Sequence, residues 1–402
     1  MNYYHIKFSF SNSVKELIDL ILNKNFNVAQ QQINKILFQD QVFPLRSKEY
    51  IKLLHYQSIL QLYDRNYQDA EISIQNAMLQ SKYINEKTYH TYLTLYYQLI
   101  SYTNINEIHW KIKQMKKQNQ YSELSLPVQA KIMNCLAIGN IFSTSDCVAQ
   151  SVELLKTTAQ LYPDLQFTNY YNIAAIYYLF DQSTEKNDII IDNLIKCYKC
   201  LRQNTQDING LEDLWIQYNL IQLNELTIRD VKILLLLSQH LFSNKYTKLA
   251  LQFLNLSNKI ISLNSICEIY KTEMQFIYAA YFLDQKQVQN CTDICRTLLK
   301  ADIHPIQDQI KLNALRLANK STTIISKKIV VNQQAQNKKA YRELKQKNEF
   351  QDIQAKEQEL LKQFNLQKPS AYYYQFDSDF KEIFNIKFIE IDILLTLAKQ
   401  FK

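Results

Sequence analysis

Seven times along this chain a small or apolar residue is followed by a larger one four positions on and a third three further. That i, i+4, i+7 spacing keeps three side chains on one face of an α-helix. The sets are Ala29, Ile33, Ile36; Ala70, Ile74, Ala77; Ile108, Ile112, Met115; Ser151, Leu155, Thr158; Ile190, Leu194, Cys197; Ala250, Leu254, Ser257; and Cys291, Cys295, Leu298. Phe26, Tyr67 and Tyr246 lead into three of them. Short residues at a fixed place on a helix are what a close crossing demands, because axes approach to about 8–10 Å only where the contact residues are small. The pattern predicts stacked antiparallel helix pairs and an all-α fold. Two Gly and five Pro in 402 residues are too few for an all-β chain, which needs turn residues at every hairpin.

The densest copy runs from Cys135 to Tyr177. Cys135, Ile138, Gly139 and Phe142 share one helical face, Ser151, Leu155 and Thr158 share the next, and Pro163 stops the second helix. Another copy opens with Tyr170, Ile173, Ala174 and Tyr177, placing Ala174 35 positions beyond Gly139. Gly inside a helix costs about 1 kcal/mol relative to Ala, so Gly139 needs a packing reason, and a crossing with the helix that starts near Asp146 supplies one. This arrangement resembles the tetratricopeptide repeat (TPR) family, whose signature runs aromatic, Leu-Gly, Tyr, then Ala, Phe and a terminal Pro. Cys135 stands where that family has its aromatic.

The resemblance implies a right-handed α-solenoid of antiparallel helix pairs. It makes Gly139, Phe142, Ser151, Leu155, Ala174, Tyr177, Ala70, Ala77 and Ala250 the residues that pack one repeat on another. The leading positions 29, 70, 108, 151, 190, 250 and 291 are separated by 41, 38, 43, 39, 60 and 41. These exceed the family period of about 34. Longer helices and loops such as Asp181–Asp188 account for most of the excess, and one extra helix, Leu211 to Asn224, accounts for the gap of 60. A spacing near 40 also suits HEAT or armadillo repeats, which are α-solenoids too.

In this reading residues 1–305 are the repeat domain, 306–368 a basic long-helix segment, and 369–402 an aromatic linker with a C-terminal capping helix. Lys327 to Lys368 holds ten Lys and Arg against five Asp and Glu, most of the chain's net charge of +8. Its apolar residues Leu344, Phe350, Ile353, Leu360, Leu361 and Phe364 form a thin stripe, which fits either a solvated helix on the last repeat or a docking helix for a partner. After Pro369 come Tyr372, Tyr373, Tyr374 and Phe376, and then Phe380, Phe384, Phe388, Ile391, Leu395 and Ala398 at helical spacing. Such a helix fits a cap on the open end of the stack, or a detachable tail.

Catalytic motifs are lacking. Two Gly leave no phosphate-cradling loop and no dinucleotide fingerprint. Cys197 and Cys200 make a CxxC without a second pair, and Cys197, Cys291 and Cys295 fall on repeat packing positions. The six His, at 5, 55, 90, 109, 240 and 304, show no metal-binding pair. The expectation is therefore a non-enzyme without metal or cofactor. Scattered, odd-numbered Cys point to a reducing compartment, cytoplasmic in the first instance, with cilium, cytoskeleton and nucleus open. The start resembles neither a secretory leader nor an organelle presequence, and no apolar run is long enough to span a bilayer.

Binding is what remains. Tyr92, Tyr96, Tyr171, Tyr178 and Tyr278 lie on the first helices of their pairs, which line the concave face in the architecture the resemblance implies. They are candidate contacts for a partner peptide or helix. The first helices lack the Lys and Asn set that clamps a C-terminal carboxylate in some family members. The expected function is a protein–protein interaction scaffold or subunit of a larger assembly, without a small-molecule substrate. The alternative is a ribonucleoprotein component gripping RNA through 327–368. Base-reading repeats keep a strict period, which the uneven spacing here does not. If Gly139 sits at a helix crossing, Gly139→Leu overpacks it and lowers stability by about 1–3 kcal/mol. Thermal unfolding of the variant measures this, and an unchanged melting temperature removes the assignment.

Overall fold

A computed structural model describes residues 16–17, 20, 26–39, 48–63, 66–103, 105–118, 120–143, 148–180, 186–202, 208–263, 270–300, 314–318 and 320–321. Among these residues there are helices, turns and loops and no strand, so the described chain is all-α. Its main helices are α1 (Phe26–Gln39), α2 (Lys48–Tyr63), α3 (Tyr67–Ser81), α4 (Glu86–Thr103), α5 (Ile105–Lys117), α6 (Leu126–Ser143) and α7 (Val148–Leu161). They continue with α8 (Gln166–Phe180), α9 (Lys186–Leu201), α10 (Leu211–Leu220), α11 (Ile228–Ser243), α12 (Thr247–Leu263), α13 (Lys271–Asp284) and α14 (Val288–Lys300). None of the described helices is long and apolar enough to cross a membrane.

The chain divides into two compact units, one running to Leu165 and the other starting at Gln166. The division falls within the 1–305 span that the sequence reads as one repeat domain. A short 3-10 turn, Pro163–Leu165, marks it, because proline has no N–H with which to continue α7.

In the first unit α2 packs on α3, α3 on α4, α4 and α5 on α6, and α6 on α7. Ile51, Leu54, Ala70, Ile74, Ala77, Tyr97, Ile112 and Ile132 belong to one continuous core. Several polar groups of this unit are paired across neighbouring helices. Ser58 Oγ donates to the Ala70 carbonyl across α2 and α3 at 2.9 Å, and Thr158 Oγ1 donates to Asn134 Oδ1 across α6 and α7 at 2.7 Å. His55 sits edge-on to Tyr92, ring centroids 5.5 Å apart, and burial pushes its imidazole down to about 4, so it is neutral.

In the second unit α8 pairs with α9, α11 with α12, and α13 with α14. Each pair also packs on the next, through α9 on α11 and α8 on α11, then α12 on α13 and α11 on α13. The first helices therefore stand side by side. The seven sequence sets all fall on second helices or on α1, namely α1, α3, α5, α7, α9, α12 and α14. The expected extra helix is α10, which ends four residues early. Ile221 turns to extended backbone (φ −87, ψ 138), and a 3-10 turn, Leu223–Glu225, follows.

A chain with two glycines must close its helix pairs without them. After α11, the N–H of Lys245 reaches the Phe242 carbonyl at 3.1 Å and that of Tyr246 reaches Leu241 at 2.9 Å. After α13, Lys286 and Gln287 repeat the pattern on Leu283 at 3.0 Å and Phe282 at 2.8 Å. This double bond pattern is a Schellman motif, whose left-handed residue is usually Gly. Here it is Lys245 (φ 67) and Lys286 (φ 60). The basic 327–368 and aromatic 369–402 segments lie outside the described residues. Because a Cβ in the left-handed region costs about 1–2 kcal/mol, Lys286→Gly is expected to raise stability by about 0.5–1 kcal/mol after the entropy glycine adds to the unfolded chain. Chemical denaturation checks the sign.

Candidate functional site

The row of first helices in the second unit, α8, α11 and α13, carries a set of polar groups in an apolar setting. Helix α11 is buried from Asp230 to Phe242, wrapped by α8, α9, α12 and α13. Its Leu234, Leu235, Leu236 and Leu237 explain that burial, being apolar around a full turn. The polar residues embedded in it need partners, because an unpaired buried polar group costs about 1–3 kcal/mol.

At its N-terminus Asp230, with no exposed surface, accepts from the Thr227 N–H at 2.7 Å and the Thr227 hydroxyl at 2.8 Å, closing a capping box. It also pairs with Arg202, the residue that follows α9, at 2.8 Å and accepts from Tyr218 of α10 at 3.4 Å. Tyr218 in turn meets Tyr198 of α9 edge-on at 4.9 Å. One carboxylate thus fixes α9, α10 and α11 to each other.

Two residues further on, Lys232 extends its ammonium to 5.4 Å from the centre of the Tyr171 ring on α8. Gln239, two turns along the same helix and fully buried, donates to Glu273 Oε1 of α13 at 3.0 Å. Burial pushes the Glu273 carboxyl up to about 7, outweighing the opposing Gln239 hydrogen bond and the charge of Lys232. Tyr178 of α8 shares a hydrogen bond with Ser243 at the end of α11, 3.2 Å apart, and faces the edge of His240.

The binding tyrosines named from sequence are placed mostly inside this packing. Tyr171 and Tyr178 in the second unit, and Tyr92 and Tyr96 in the first, expose less than a tenth of their surface. Burial raises the phenols of Tyr92 and Tyr178. Tyr96 lies beneath Lys111 of α5, which donates to its hydroxyl. A partner could reach these four only at their edges, because each ring fills the space between its helix and a neighbour. Tyr278 is half-buried, stacks with Phe282 at 6.4 Å and donates to Asn255 of α12 at 2.6 Å.

Of the packing residues, Ala70, Ala77, Ser151, Leu155, Ala174 and Ala250 have no exposed surface, while Tyr177 is half-buried. Gly139 and Phe142 fall within α6, and their side-chain surroundings lie outside what the structure describes. Cys197 is sealed, its thiol donating to the Phe167 carbonyl at 3.5 Å, and burial raises its pKa, whereas Cys200 is exposed. Among the described residues no three His, Cys, Asp or Glu side chains gather as a metal site.

Sequence reasoning missed Lys232, Gln239, Glu273 and the Asp230–Arg202 pair. A signal was present, since Lys232 and Gln239 are seven apart, flank the apolar run Ile233–Leu237 and so share a helix face. Compared with known protein families the chain matches none, and it matches no curated protein.

Glu273 has its ordinary value of 4.5 raised to about 7, so the native state holds a proton the unfolded chain releases earlier. Its contribution to stability is present in full below pH 4.5 and is lost as pH rises through 7. Glu273→Gln removes this dependence. The expected outcome is a variant whose stability relative to wild type increases steadily across that window, read from denaturation curves at each pH.

Proposed function

We propose that this protein is a non-enzymatic protein-binding scaffold or subunit of a larger assembly, built within each unit as right-handed, TPR-like α-solenoid. The observation that carries this reading is the chain-order packing of the second unit, where α8, α11 and α13 stand side by side and each helix pair supports the next. Repeat scaffolds are stabilised by such nearest-neighbour contacts and keep a continuous face for a partner.

Among the described residues of these first helices the half-buried aromatic groups are Tyr170, Tyr177, Tyr278, Tyr281 and Phe282. Aromatic side chains of this kind supply contact area with little rotamer freedom to lose, which is why interfaces favour them. The partner we infer is a peptide or helix lying along the first helices, with Tyr278 as the anchor. Sealed thiols at Cys197, Cys291 and Cys295 suit a reducing compartment.

Affinity purification of the native protein at physiological salt, with nuclease treatment, followed by mass spectrometry, tests this. The expected result is a protein recovered in stoichiometric amount despite nuclease, and a several-fold loss of it with Tyr278→Ala. Recovery of the chain alone would overturn the scaffold reading, and a partner lost on nuclease treatment would favour the RNA alternative.

A further inference from the structure

Helix α10 belongs to no helix pair, and it is apolar on both sides. Its inner face is filled by Leu214 and Tyr218, both with almost no exposed surface, and Trp215 meets Phe253 of α12 edge-on at 5.2 Å. On its outer face Ile216 is 53% exposed and Leu220 73% exposed, and Leu223 extends the row into the following turn at 36%. A spacing of four places Ile216 and Leu220 on one face of α10, and Leu223 follows after the two extended residues Ile221 and Gln222. A helix that only filled the gap between two pairs would present polar residues outward.

The surroundings of this row are acidic. Between 203 and 228 the chain carries Asp207, Glu212, Asp213 and Glu225 and no Lys or Arg. Glu212 and Glu225 are exposed at either end of the apolar row. An exposed apolar line bounded by carboxylates fits a helix that is apolar on one side and basic around it.

The same chain supplies that complement. Lys327 to Lys368 carries ten basic residues against five acidic ones, and Phe350, Ile353 and Leu360 are spaced to share a helical face. We propose that the outer face of α10 is the docking surface for this chain's own basic segment 327–368, through contact of Ile216, Leu220 and Leu223 with its apolar stripe and of Glu212 and Glu225 with its Lys and Arg. Ser321 donates to Cys291 of α14 at 3.2 Å, and the seventeen residues from there to Lys338 span up to about 55 Å when extended. The inference is independent of the scaffold reading, since none of the residues it uses lies on α8, α11 or α13.

The test is photo-crosslinking of the full chain carrying Leu220→p-benzoylphenylalanine, an exposed position whose replacement leaves the core intact. The expected product has monomer mass, and its cross-linked peptide falls within 327–368. Glu212→Lys combined with Glu225→Lys, or about 0.5 M salt, then lowers the yield about threefold or more, as screening of exposed charges requires. A product of dimer mass, a cross-link to 369–402 or to another protein, or no cross-link at all overturns the proposal. So does a yield unaffected by both charge reversal and salt.

Discussion

Close contact between helix backbones is the constraint on which the rest of this structure depends. Several second helices meet their partners through a short residue, a long one and another of modest size, as at Ala70, Ile74 and Ala77 or at Ala250, Leu254 and Ser257. All of these are buried, most of them completely. The short residues let the axes approach, and the long one fills the groove so formed. A bulky or charged side chain at the short position would either push the helices apart or bury an unpaired charge, at a cost of several kcal/mol for the latter. Each pair supports its neighbour, so the constraint recurs along the chain instead of converging on one centre.

Apolar contact alone specifies register weakly, because neighbouring rows of Leu and Ile offer nearly equivalent seats. The second unit adds buried polar junctions that have one good arrangement. Asp230 must receive Thr227, Arg202 and Tyr218 together, and Gln239 must meet Glu273 while Lys232 lies against Tyr171. Charge burial is costly, and a buried ion pair is not by itself a source of stability. Glu273 shows the strain of the compromise, held with its carboxyl raised to about 7.

The periodicity was readable because a helix repeats every 3.6 residues, so Leu155 and Ser151, or Cys291 and Cys295, must share a face whatever they touch. The extra helix near Leu211 was readable as a break in spacing. Depth was not. Tyr92, Tyr96, Tyr171 and Tyr178 look like the other tyrosines of their helices, and their burial follows from which neighbour lies across from them. Nor could the pairing of Arg202 with Asp230, 28 residues apart, be read from a chain with many of both signs.

The sequence by itself determined that the described chain is helical and which residues share a helix face, since these follow from local periodicity and from the scarcity of Gly and Pro. Tertiary structure alone decided which tyrosines are enclosed, which acid and base meet inside α11's surroundings, and that α10 faces outward with Ile216 and Leu220 uncovered. Those outcomes depend on contacts between residues far apart in sequence, and a one-dimensional pattern carries the direction of a side chain but not what lies opposite it.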